Sequence, residues 1–126
     1  MSQSDNSGFL SLPAGEAITQ FMRVKKHTDG TAMIAGLAEK DIGTALETVA
    51  TGAYVAIKLR TAAGTHKVIA KEALAIGATL YTEAGGKVQD TAEATSFQWG
   101  TALEAATADG DIIEALVNSH GDTAAS

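Results

Sequence analysis

The segment Tyr54-Val-Ala-Ile-Lys-Leu-Arg60 decides the fold class. Val55, Ile57 and Leu59 alternate with Ala56, Lys58 and Arg60, so an extended chain places three large apolar side chains on one face. Helix propensity points the other way in Lys71–Ala75 and Thr101–Ala108, where Ala, Glu and Leu are frequent. Glycine spacing settles the conflict. Gly30, Gly36, Gly43, Gly52, Gly64, Gly77, Gly85, Gly86, Gly100, Gly110 and Gly121 punctuate the chain. The intervals suit strands of about five to seven residues and leave no room for helices of ordinary length. Thr79–Thr82 and Lys87–Asp90 flank a Gly85-Gly86 turn and read as a β-hairpin. The expected class is mainly β: a compact small β-barrel or β-sandwich of short hairpins with an extended N-terminal arm.

An internal repeat extends this reading. Gly43-Thr-Ala-Leu-Glu47 recurs as Gly100-Thr-Ala-Leu-Glu104. Each copy runs through small residues to a glycine, Gly52 or Gly110, and then into an apolar strand, Tyr54–Arg60 or Ile112–Val117. The pattern describes one hairpin unit used twice. Outside it, Phe9-Leu-Ser-Leu12 places apolar residues before the only proline, Pro13, on a segment otherwise short of anything to bury. The expected organisation is a flexible arm over 1–20, a β domain over 21–119 holding both repeats, and a disordered tail over 120–126.

Composition limits the chemistry. The 126 residues include 25 alanines, 13 glycines and 15 threonines, and only 32 large apolar side chains. A core of that size leaves little room to enclose a large cofactor. The absence of cysteine removes disulfides, thiolate metal sites and thiol nucleophiles. No apolar run approaches the ~20 residues of a membrane span, and the polar start, Met1–Ser7, has neither a basic nor an apolar region of a secretory signal. The net charge of −6 argues against nucleic acid as the main partner. That charge is unevenly placed: residues 88–126 hold seven carboxylates and no Lys or Arg, whereas Arg23, Lys25 and Lys26 cluster near the start. Such a distribution can orient the molecule on a partner or on copies of itself.

No catalytic constellation emerges. His27, His66 and His120 show no metal-ligand spacing and read as exposed loop residues. Asp109-Gly-Asp111 lacks the further oxygen ligands of a calcium loop and reads as an acidic turn, as does Glu39/Asp41. Phosphate-binding glycine loops and the serine-hydrolase elbow are absent. Lys87 follows a tight turn, as in a lipoyl or biotinyl carrier, without that family's flanking residues. Phe97 and Trp99 form the one close aromatic pair and read as core packing, or else as an interface anchor. The expectation is a non-enzymatic protein with no cofactor and no metal.

Ala75-Ile-Gly-Ala-Thr-Leu-Tyr-Thr-Glu-Ala-Gly-Gly-Lys-Val-Gln-Asp-Thr91, then Trp99-Gly-Thr-Ala-Leu-Glu-Ala-Ala106, then Gly110-Asp-Ile-Ile-Glu-Ala-Leu-Val117 resemble the small head-decoration, or cement, proteins of tailed bacteriophages. The resemblance spans roughly residues 30–118 and leaves the N-terminal arm outside it. It implies a homotrimer on threefold and quasi-threefold positions of an icosahedral shell, bound to the major capsid protein on the outer capsid surface and present in the host cytoplasm before assembly. Nucleic acid and membrane are not among the implied partners. In this picture Phe9, Leu10 and Leu12, or the stretch Ile18–Val24, add as a strand to a capsid or neighbouring edge. Arg23, Lys25 and Lys26 then meet an acidic capsid surface. The alternative is a β-rich host-surface or carbohydrate-binding module of a virion fibre.

Overall fold

A computed structural model of the chain describes residues 8–117; the tail expected over 120–126 lies outside the described residues, as do residues 1–7. Ten strands run in chain order: β1 (Phe9–Pro13), β2 (Arg23–Lys26), β3 (Ala32–Ile34), β4 (Gly43–Ala45), β5 (Tyr54–Leu59), β6 (His66–Ile69), β7 (Thr79–Thr82), β8 (Val88–Gln89), β9 (Gln98–Ala102) and β10 (Ile112–Val117). A single 3-10 turn, Ala84–Gly86, joins β7 to β8, and no α-helix occurs among the described residues. The mainly-β expectation holds.

The strands form two antiparallel five-stranded sheets of identical order, β1-β5-β4-β2-β3 and β6-β10-β9-β7-β8. The second is the first repeated. One parallel bridge in each, Ala14 to Ala32 and Ala70 to Val88, curls the sheet so that its first and last strands meet. Each sheet has its own core. Leu12, Ile18, Val24, Val55 and Ile57 pack in the first lobe, and Val68, Leu74, Leu80, Trp99 and Ile113 in the second. Alanines complete both cores, so each lobe relies on few large side chains, worth about 1.5–3 kcal/mol each when buried.

The correspondence reaches single atoms. Glu47 accepts a hydrogen bond from the Ala56 amide at 3.2 Å, and Glu104 accepts one from the Glu114 amide at 2.8 Å. Glu16 caps the Ile34 amide as Glu72 caps that of Asp90, at 2.9 and 3.3 Å. The repeated glycines are required by close approach. A Cβ on Gly43 would lie 2.1 Å from the Lys58 carbonyl oxygen, and one on Gly100 would lie 2.0 Å from that of Leu116. Phe21 adopts a left-handed φ of 71°, at the position where the second lobe has Gly77.

Two expectations need correction. The arm does not extend to residue 20: β1 pairs along its length with β5, and Leu12, Ala14 and Ile18 are core residues of the first lobe. The alternation of Leu10 and Leu12 is that of an ordinary half-buried strand whose partner is distant in sequence. The repeat is also larger than a hairpin, since β4–β5 and β9–β10 are each part of a complete duplicated sheet.

Candidate interaction surface

The lobes meet at a polar seam centred on Arg23. The next residue along β2, Val24, points into the first core, which sends the Arg23 side chain to the outer face. There the guanidinium is fully buried by the second lobe. Nη2 donates to the carbonyl oxygens of Glu83 (2.6 Å), Ala35 (3.1 Å) and Gly36 (3.1 Å), and Nε donates to that of Lys87 (2.9 Å). Nη1 pairs with Asp41 at 3.2 Å, and Asp41 also takes Arg60 at 3.3 Å. Burial pushes the Arg23 pKa down from its ordinary value and the Asp41 charge opposes it. Each of the three guanidinium nitrogens has at least one acceptor, and an arginine is not deprotonated in a protein.

Further bonds close the seam. The Thr82 hydroxyl donates to the Leu37 carbonyl at 2.6 Å, the Gly86 amide to the Ala35 carbonyl at 3.1 Å, and Lys58 to the Thr65 carbonyl at 2.6 Å. Lys40 lies over the Phe97 ring, 5.2 Å from its centroid. His66, expected in an exposed turn, is instead buried at the start of β6. Its Nε2 lies 2.9 Å from the Leu59 carbonyl oxygen, and burial pushes its pKa down. His120 lies outside the described residues.

The six expected contact residues separate. Leu12 is in the core, Leu10 packs half-buried against it, and Phe9 is 46% exposed. Arg23 is unavailable to any capsid surface because the seam consumes it. Lys25 is half-buried and bonds to Glu39, whose pKa that bond lowers. Lys26 is exposed. Trp99 is buried in the second core as expected, while Phe97 sits at the seam. Asp111 is a turn cap, accepting from the Thr107 amide and hydroxyl at 2.8 Å each, and Asp109 pairs with Lys87 at 2.7 Å. Among the described residues no group of three or more His, Cys, Asp or Glu is placed to hold a metal ion.

What the sequence reading did not separate is the outer face of the second sheet. Ile113 and Ala115 point inward on β10, leaving Ile112 and Leu116 outward at 50% and 47% exposure, with Glu114 between them. Leu103 is exposed beside Glu114, whose carbonyl its amide bonds. The alternation in Ile112–Val117 carried the signal: both of its faces are apolar, so one of them had to face out.

This arrangement defines a class: a duplicated, mainly antiparallel β protein whose two lobes are joined through a buried arginine and which presents an apolar outer sheet face. The sequence matches no family model and no curated protein. Among solved structures the chain is similar to the head fiber gp8.5 N base of bacteriophage phi29, with a TM-score of 0.72 at 18% identity. The similarity covers 87% of this chain and 92% of that one, and at this identity it is a likeness of fold.

Proposed function

We propose that this chain is a non-enzymatic structural protein of a phage virion, which decorates the outer surface of an icosahedral capsid as a homotrimer at threefold or quasi-threefold sites. Its partner is the major capsid protein, and before assembly it resides in the host cytoplasm. The observation that carries the reading is the fold shared with a phage head-fibre base over nearly the whole of both chains. Two features agree with it. The polar groups of the seam hold the two lobes together, as suits a structural protein. The modest paired cores also gain from assembly, because binding of the folded state adds stability by mass action.

The same comparison bears on the alternative, a host-surface or carbohydrate-binding module of a fibre. The phi29 protein is a base, which favours a platform attached to the head over a distal receptor-binding tip. Co-sedimentation with empty phage shells tests the proposal. Saturable binding at a fixed ratio to capsid subunits is expected; recovery of all the protein in the supernatant at every shell concentration would contradict it.

A further inference from the structure

The duplication provides an internal control for the surface. In the first lobe, Arg23, Thr44 and Lys58 form a row across β2, β4 and β5, because Thr44 is in register with both neighbours. The second lobe covers this row with its β7–β8 turn and the start of β6. Arg23 and Thr44 are thereby fully buried, and Lys58 is half-buried. The equivalent row in the second lobe is Thr79, Thr101 and Leu116, again in mutual register. Nothing in the chain's described residues covers it in the same way: Thr79 and Leu116 are exposed and Thr101 is half-buried. Leu103 and Ile76 lie exposed nearby in the sequence of the same lobe.

The lobes therefore meet head to tail. One contributes an outer sheet face and the other a turn and a strand start, so among the described residues the contact leaves one copy of each surface unused. The unused face is on the second lobe. The unused turn is His27–Thr31 of the first lobe, between β2 and β3, and Phe9 at the start of β1 is 46% exposed. The charges agree with this pairing. Residues 66–117 hold eight carboxylates against three lysines, a balance of −5, whereas residues 8–60 hold six cations against five carboxylates, +1. Glu104 and Glu114 adjoin the open face, and Lys25 and Lys26 precede the turn. Leu116 in place of Lys58 and Thr79 in place of Arg23 make the open row less polar than the covered one, as suits a face that buries apolar area.

We propose that a second copy of this chain docks its first lobe, through the β2–β3 turn and Phe9, onto the Thr79–Thr101–Leu116 face of the second lobe, repeating between chains the contact made within one. Such a heterologous interface is satisfied at both ends only when copies close into a ring. The inference rests on the homotrimer proposed above and supplies its interface.

The chain has no cysteine, so single thiols can be placed at will. A mixture of the Lys26→Cys and Leu116→Cys chains should crosslink with a short bis-maleimide, whereas Leu116→Cys alone should not crosslink to itself. Efficient Leu116→Cys self-crosslinking, or no crosslinking in the mixture, would overturn the proposal. In light scattering, wild type should have the mass of three chains and Leu116→Arg that of one, with unchanged circular dichroism; Tyr54→Arg, at the far end of β5 from Lys58, should keep the wild-type mass. A Leu116→Arg variant that stays trimeric overturns this interface and leaves the trimer standing. A wild-type chain that is monomeric at every concentration overturns the interface as well, while shell co-sedimentation separately decides the capsid role.

Discussion

Arg23 of the first lobe reaches the Glu83 carbonyl oxygen of the second at 2.6 Å, fully buried, at the centre of the seam that joins the two cores. Removing one partner of a buried, hydrogen-bonded ion pair leaves polar groups stranded and costs about 3–5 kcal/mol. Arg60 still compensates Asp41, so the lower end applies.

Arg23→Met should therefore destabilise the protein by about 3 kcal/mol. It should also uncouple the lobes. Trp99 is the only tryptophan and lies in the second core, so its fluorescence reports that lobe alone. In wild type the fluorescence and far-ultraviolet dichroism transitions should coincide in a denaturant titration, and in Arg23→Met they should separate. A loss below about 1 kcal/mol with coincident transitions would show that the seam is held by something else.

The buried His66 gives a signed pH dependence. Burial lowers its folded pKa below the unfolded value of about 6.5, so the unfolded chain binds the extra proton first. Its contribution is complete above pH ~6.5 and is lost as the pH falls from there through the folded pKa. His66→Gln should flatten the stability profile within that window. The profile at lower pH should survive, because the lowered carboxylates Asp29, Glu39, Asp109 and Asp111 set it. Thermal melts of both proteins between pH 4 and 8 check the prediction, and superimposable profiles would refute it.

Gly43→Ala and Gly100→Ala should each cost about 2 kcal/mol or more, since the new methyl meets a backbone oxygen of the neighbouring strand that cannot move aside. Gly64→Ala is the matched comparison. Its Cβ enters open space, so only the left-handed φ of 93° opposes the substitution, at about 1 kcal/mol. Urea midpoints of the three variants give the order directly.

The hairpins were legible because their determinants are local. Alternation in Tyr54–Arg60 and the glycine before each Thr-Ala-Leu-Glu copy both report on a strand and its immediate neighbour. The full duplication had a fainter trace, Ala14-Gly-Glu-Ala-Ile18 against Ala70-Lys-Glu-Ala-Leu74, in which only the carboxylate cap and two small residues are kept. The pairing of the N-terminal segment is not legible locally, because β1 joins a strand distant in sequence. The burial of Arg23 and His66 is hidden in the sequence for a related reason. A cation beside two lysines and a histidine in a turn are ordinary surface features, and only the packing of one lobe on the other buries them.

Electron cryomicroscopy of empty phage shells incubated with the purified protein tests the central claim most directly. The account predicts added density on the outer surface at threefold or quasi-threefold positions, built from three copies of the two-lobed fold. Undecorated shells, or density from single chains at fivefold vertices, would contradict it.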